Sequence, residues 1–175
     1  MFDEQGFDET TVDQIAGAVG ISPRSFFRYF ASKEDIVLGE PMVYGEPVRE
    51  RLARALESTP AWEALRSGFD VVVEAVEVNP EWALRATRVM ISTPSLRARN
   101  MEKHLAWMTT LSPLVAAALT GPEATRHYHA RAITLSAITC LDVSLGEFVH
   151  GNGKATIGDL LDESFQLLKP AALVG

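Results

Sequence analysis

With one cysteine in the chain, Cys140, no disulfide can close within it. No histidine or motif stands near that thiol to activate it, so Cys140 reads as a small buried hydrophobe. The four histidines, His104, His127, His129 and His150, form no ligand set. His127 and His129 would lie about 200 degrees apart around a helix, and no cysteine or carboxylate stands at metal-ligand spacing. Gly151-Asn152-Gly153-Lys154 is a turn without the pattern of a phosphate loop. No catalytic residue, metal or cofactor is expected, and the chain does not read as an enzyme. Positive charge is also scarce: 16 basic against 23 acidic side chains leave a net charge of −7. That excludes a general nucleic-acid coat and a peripheral membrane binder, and confines any DNA contact to a local patch. No apolar run approaches the roughly 20 residues that cross a bilayer, and the first residues are acidic where a secretory signal is basic. The expectation is a cytoplasmic protein with no membrane partner. Strand-like alternation, internal repeats and low-complexity segments are missing too, which points to an all-α fold.

What the chain does contain is a pair of short helices between Thr11 and Asp35, TVDQIAGAVGISPRSFFRYFASKED. Thr11 followed three residues later by Gln14 fits a capping box. Val12, Ile15, Ala16 and Val19 share one face, and Gly20 stands where a left-handed C-cap ends a helix. Ser22 as cap and Pro23 at the first helical position open the second helix. Phe26 and Phe30, four apart, point inward with Ile21. Arg24, Phe27 and Arg28 fall on a neighbouring stripe which that core does not need. Ser32 with Glu34 and Asp35 is a third start signal. A helix of this kind fits a DNA major groove, with Arg24 and Arg28 at base edges, Ser25 and Phe27 reading shape and thymine methyls, and Tyr29, Lys33 and Thr11 at phosphates, Ser22 and Pro23 at the helix start completing the DNA-binding set. Two arginines alone equally describe a helical hairpin with a solvated basic face.

The stretch GFDETTVDQIAGAVGISPRSFFRYFASKEDIVL, from Gly6 to about Leu38, resembles without a gap the DNA-binding segment of the tetracycline-repressor (TetR) family of bacterial regulators. The resemblance rests on the Gly6-Phe7 entry, the Thr10-Thr11 start, the Ile15-Ala16 pair, Gly20, the Ser22 to Phe30 helix and Ser32-Lys33-Glu34-Asp35. It implies an all-helical homodimer that represses transcription from a palindromic operator and releases it when a small molecule binds the larger domain. Family members carry a full amphipathic helix before the Gly-Phe pair, whereas only Met1 to Gln5 precede it here. The expectation is a first helix largely missing, either because the start lies upstream or because the chain is truncated, with Ile15, Val19 and Phe26 losing cover. Residues 1 to 40 hold three basic and eight acidic side chains, a balance of −5, yet residues 22 to 33 hold all three basic groups and no acid.

Two prolines and flanking glycines between Gly39 and Pro47 discourage one unbroken helix, and a boundary is placed there: a head over 1–46 and a helical effector-binding and dimerisation domain over 47–175. Amphipathic segments follow at about 48–57, 61–77, 81–92, 95–119, 123–149 and 157–168. Pro60, Pro80, Pro94 and Pro122 stand at or just before helix starts, while Pro113 lies inside one and should kink or divide it. Tyr128, Leu135, Ile138, Leu145 and Val149 form one apolar line, and Ala130, Ile133, Ala137, Leu141 and Phe148 another. Either both lines are buried within a monomer, or Tyr128, Leu135, Ile138 and Leu145, with Leu161 and Phe165 of the last helix, close a four-helix bundle between two copies; the resemblance implies the dimer. Arg85, Arg88, Arg97, Arg99 and Lys103 make residues 81 to 105 basic. The TRVMISTPSLRARNMEKHLAWM segment resembles the C-terminal domain of TetR members proposed to bind acyl-CoA-like ligands. An effector slot lined by Trp62, Phe69, Arg88, Met90, Trp107 and Met108 is the expectation, against a solvated basic face over an ordinary core. The competing function is a helical ligand-binding or dimerisation protein that never engages DNA.

Overall fold

A computed structural model describes residues 2–38 and 44–169. The head holds α1 (Phe2–Gln5), α2 (Val12–Ala18), α3 (Pro23–Tyr29) and α4 (Asp35–Leu38). The body holds α5 (Gly45–Ala55), α6 (Ala61–Gly68), α7 (Asp70–Val78), α8 (Pro80–Ser92), α9 (Pro94–Ala118), α10 (Glu123–His150) and α11 (Ile157–Leu167). Among the described residues no strand forms. The connection over residues 39–43, where the sequence disfavours a straight helix, lies outside the described residues. The expected boundary at 46/47 cuts the first turn of α5, where Pro47 needs no N–H partner; Val48 and Leu52 of that helix are buried in the body's core.

Start and stop signals act where the sequence puts them. Thr11 Oγ1 accepts from Gln14 N at 3.3 Å while Gln14 Oε1 accepts from Thr11 N at 2.8 Å, so two orphan amides at the start of α2 are satisfied reciprocally. Its far end closes with Gly20 at φ +71°, Ile21 N donating to Ala16 O at 3.0 Å and Gly20 N to Gly17 O at 3.2 Å. This double bond pattern needs a left-handed residue, which glycine supplies without a Cβ clash. Ser22 Oγ accepts from Ser25 N at 3.1 Å and Pro23 takes the first helical position of α3. The third signal works differently from expectation. Asp35 Oδ2 accepts from Ser32 N at 2.8 Å, whereas Ser32 Oγ has no partner among the described residues.

In the body, Pro60 and Pro122 cap α6 and α10, and Pro80 and Pro94 open α8 and α9. The segment expected as one helix over 61–77 divides at Phe69. Gly68 there lies against α5, where a Cβ would meet Val48 and Leu52 atoms at 3.5 Å. Pro113 does not divide α9, which runs continuously through it. The core gathers Leu52, Leu65, Phe69, Trp107, Leu111, Val115, Ile138, Leu161 and Phe165, fully or almost fully removed from water. Trp62 Nε1 donates to Phe165 O at 3.0 Å, joining α6 to α11 with the indole itself buried. Arg66 bridges Asp70 and Asp162 at 2.5 Å each, adding a polar tie across the same helices. Cys140 is buried beneath α11, its thiol 3.7 Å from Ser164 O, and burial pushes its pKa up. By length and composition α10 is apolar enough to cross a membrane, contrary to the sequence reading. Its apolar residues serve packing against α6, α8, α9 and α11 on more than one side.

A second, smaller core joins head to body. Phe7 and Leu96 are buried with Phe2, Val37, Val89 and Met90 around them, and the Phe2 and Phe7 rings lie 5.0 Å apart. Ser95 Oγ donates to Asp8 Oδ1 at 3.3 Å across the same junction. The short α1 therefore packs toward α8, and the inner face of the two-helix unit is only partly covered. Val19 is 66% exposed, in line with the expected loss of cover, and Ile21 is 36% exposed, against the expectation that it packs inward. Phe26 keeps its burial at 1% exposure because Phe27 and Phe30 stand against it, with ring centroids at 5.4 and 5.2 Å.

Candidate DNA-reading face and effector cavity

Two places in the molecule gather chemistry. The first is the outer face of α3. At 100 degrees per residue, Arg24, Phe27 and Arg28 fall within one arc opposite the buried Phe26. Both arginines are exposed, as are Phe27 (56%) and Tyr29 (61%). Arg28 Nη2 donates to Tyr29 Oη at 2.9 Å, and its guanidinium lies 4.8 Å from the centre of the Tyr29 ring. That contact holds the guanidinium plane without using all five of its donors. Ser22, Pro23 and Thr11 are exposed at the starts of α3 and α2, with the Ser22 and Thr11 hydroxyls engaged in capping. Ser25 is half-buried, its Oγ 3.0 Å from Ser22 Oγ.

Lys33 is the exception in the set expected at the DNA. Its Nζ donates to Phe7 O at 2.6 Å, Thr10 O at 2.9 Å and Asp8 O at 3.4 Å, and stands 4.3 Å over the Phe7 ring. An ammonium has three donors, and here all three point at the turn before α2, so the phosphate role is withdrawn.

The second place is a cavity of about 300 Å³ at the head–body junction. Phe30 and α4 close it on one side; Tyr44 before α5, with α7, α8, α9 and α10, forms the rest. Most of its wall is aliphatic or aromatic, with Val72, Val76, Trp82, Met90, Trp107 and Leu145 among the lining residues. Its polar residues include Asp35, Lys103, His104 and Asp142. His104 Nδ1 lies 3.3 Å from Asp142 Oδ2, and Asn100 Nδ2 donates to Asp142 Oδ1 at 3.3 Å. Burial holds the His104 imidazole below the ordinary histidine range, with Asp142 opposing that and Lys103 reinforcing it. Lys103 is also pushed down by burial, against the pull of Asp142. Among the described residues its ammonium has no hydrogen-bond or ion-pair partner, and it stands 5.4 Å from the centre of the Trp107 ring.

Of the six residues expected in an effector slot, Met90 and Trp107 line this cavity. Four do not. Trp62 and Phe69 are packed into the core, Phe69 stacking on Trp107 at 6.0 Å, and Met108 packs against that core away from the cavity. Arg88 faces out and donates to Asn152 Oδ1 at 2.9 Å. The basic stripe disperses likewise: Arg97 donates to Ile91 O and Arg99 pairs with Glu102. His104 and Asp142 escaped the sequence reading as site residues. The usable signal was Asp142, the one charge between Arg131 and Glu147 on an otherwise apolar helix.

The expected dimer residues divide in the same way. Ile138, Leu161 and Phe165 are buried within the single chain, and Leu145 lines the cavity. Tyr128 (71%) and Leu135 (39%) are exposed, and Val143 (58%), absent from the expected set, extends their stripe along α10. Among the described residues no cluster of His, Cys, Asp and Glu could hold a metal ion.

A helix-turn-helix head is thus docked on a helical bundle that holds a mostly apolar cavity at their junction. Comparison with known proteins names the family. Residues 1–39 match the bacterial regulatory proteins of the tetR family, and residues 59–172 match the MftR C-terminal domain. The chain belongs to the tetR family, whose members are transcriptional regulators and not enzymes. It is 34% identical over 127 residues to the HTH-type transcriptional regulator TcmR of Streptomyces glaucescens, covering 67% of this chain and 54% of that one. It is 26% identical over 121 residues to the HTH-type transcriptional regulator EthR of Mycolicibacterium smegmatis, covering 67% and 55%. The chain thus spans little more than half the length of these curated relatives. The fold is shared with FadR of Thermus thermophilus, solved with lauroyl-CoA, at a TM-score of 0.58, 23% identity and coverage of 99% of this chain and 90% of that one.

Proposed function

We propose that this chain is a cytoplasmic, ligand-responsive transcriptional repressor that binds a palindromic operator as a homodimer and lets go when a small apolar effector enters the cavity. One observation carries the reading: Phe30, the residue that ends the recognition helix α3, is also a wall of the cavity, together with Asp35, Ile36 and Val37 of α4. A ligand that fills this space presses on the segment holding α3, so occupancy and helix orientation share one free energy. Arg24 and Arg28 read base edges, Ser25 and Phe27 sense shape and thymine methyls, and Tyr29 and the Thr11 end of α2 meet phosphates. The exposed stripe Tyr128, Leu135 and Val143 on α10 supplies the apolar surface for a second copy, and twofold symmetry then presents two α3 helices to two half-sites. That the FadR neighbour was solved with lauroyl-CoA supports an acyl-type effector.

The head's balance of three basic against eight acidic side chains over residues 1–40, with Lys33 turned inward, favours a second reading in which the chain binds ligand and a second copy but no DNA. Selection of duplexes from a random library at low salt separates the two. Enrichment of a twofold-symmetric site supports the repressor; recovery of no preferred sequence leaves the ligand-binding protein.

A further inference from the structure

We infer that the ligand of this cavity is a hydrophobic monocarboxylate, held as the free acid anion by Lys103 rather than as a coenzyme A thioester. The inference rests on the reading of the cavity as the effector site and adds the chemical class.

The charges around the cavity decide it. Lys103 is the wall's one cation without a hydrogen-bond or ion-pair partner among the described residues, mostly withdrawn from water, over an indole ring and within the longer-range pull of Asp142. Both lining carboxylates are already engaged: Asp35 accepts from Ser32 N, and Asp142 accepts from Asn100 and faces His104. A ligand that covers Lys103 without offering a negative or strongly accepting atom leaves an ammonium buried and unpaired, which is strongly unfavourable. A carboxylate meets that ammonium with a charge-assisted hydrogen bond. A phosphate-rich group fits poorly here, because a second negative charge would face Asp35 and Asp142 with no second cation. None of the arginines in the same basic stretch lines the cavity, and three are occupied elsewhere: Arg88 is on Asn152, Arg97 on a backbone carbonyl and Arg99 on Glu102. Beyond Lys103 the wall includes Val72, Val76, Met90, Leu141 and Leu145, which suits an apolar tail running away from the charged end.

The test uses the full chain and its own tryptophans, of which Trp82 and Trp107 face the cavity. Decanoate, methyl decanoate and decanoyl-coenzyme A are titrated separately below their micellar concentrations, with emission read as signal and melting temperature as a check. Saturable binding of decanoate at least tenfold tighter than either neutral ester or thioester is the expected result. Lys103→Met should abolish that preference while keeping the ester's affinity, and Lys103→Arg should restore most of it. Thioester binding as tight as or tighter than the acid overturns the inference, and so does a preference that Lys103→Met leaves intact, or no saturable response to the acid. If Lys103→Met melts early, the acid-to-ester ratio of Lys103→Arg and wild type decides alone. Since emission reads binding without DNA, a chain that takes decanoate yet ignores every duplex would sink the repressor reading and leave this one standing.

Discussion

The Lys33 ammonium sits 2.6 Å from the Phe7 carbonyl oxygen and 4.3 Å over the ring of the same residue. One side chain thereby closes the turn from Gly6 to Thr10, across more than twenty residues of sequence, and fixes where α2 begins. Thr10, fully buried, adds its own bond from Oγ1 to Gly6 O at 2.7 Å. Lys33→Ala should therefore lower head stability, by about 1.5 to 3 kcal/mol for hydrogen bonds from a charged donor, toward the low end because the group is only half-buried. Amide exchange over residues 6–12 should speed up. The salt slope of any DNA binding should stay unchanged; a slope reduced by about one with an unaltered melt would return Lys33 to a phosphate.

Arg24 and Arg28 carry the opposite expectation, since both are exposed and neither supports the core. Either one changed to alanine should leave the melting curve in place and weaken a selected duplex by about 1 to 3 kcal/mol, with base preference relaxed at one position. Titration of variant duplexes against each substitution checks this. Uniform loss across all sequences would mean that the two guanidinium groups touch only the backbone.

His104 sets a pH dependence. Its folded-state pKa lies below the ordinary value, first through burial, then through Lys103, with Asp142 of α10 pulling the other way. Below the unfolded value of about 6.5 the unfolded chain takes up a proton that the folded chain resists, so stability falls as pH drops from there toward the folded pKa and recovers as pH rises. One proton gives at most about 1.4 kcal/mol per pH unit. Chemical denaturation across that range should show the slope, and His104→Gln should flatten it. An equal slope in the variant would assign it to other groups.

The exposed stripe on α10 can be separated from the buried one. Leu135→Glu combined with Val143→Glu should leave helicity unchanged and shift sedimentation toward a monomer, because both residues face solvent in the single chain. Ile138→Glu should unfold the protein instead, since a buried charge without a partner costs several kcal/mol. A double variant that sediments like the wild type would move the pairing surface off α10.

Local grammar was the legible part. The capping box at Thr11, the left-handed Gly20, the Ser22-Pro23 start and the four helix-opening or capping prolines depend on neighbours within a few residues, and each acts as the sequence indicates. Choices between two apolar faces were not legible. Ile138 and Tyr128 belong to one line in the sequence, yet one is 3% and the other 71% exposed, because periodicity gives a stripe and not the partner that covers it. The cavity was half-read for the same reason. Trp62 and Trp107 look alike as large apolar side chains on amphipathic helices, and only tertiary packing puts the first on the Phe165 carbonyl and the second at the cavity. Arg88 and Lys103 likewise share a basic stretch, but the first reaches outward to Asn152 and the second inward.

A solitary sulfhydryl sealed between α10 and α11 makes the chain its own clock. A thiol-reactive dye can reach Cys140 only when the last helix lifts, so its labelling rate times how often the bundle breathes, with no engineered probe. Slower labelling in the presence of an occupant would show that filling the cavity stiffens the frame as far away as its final helix.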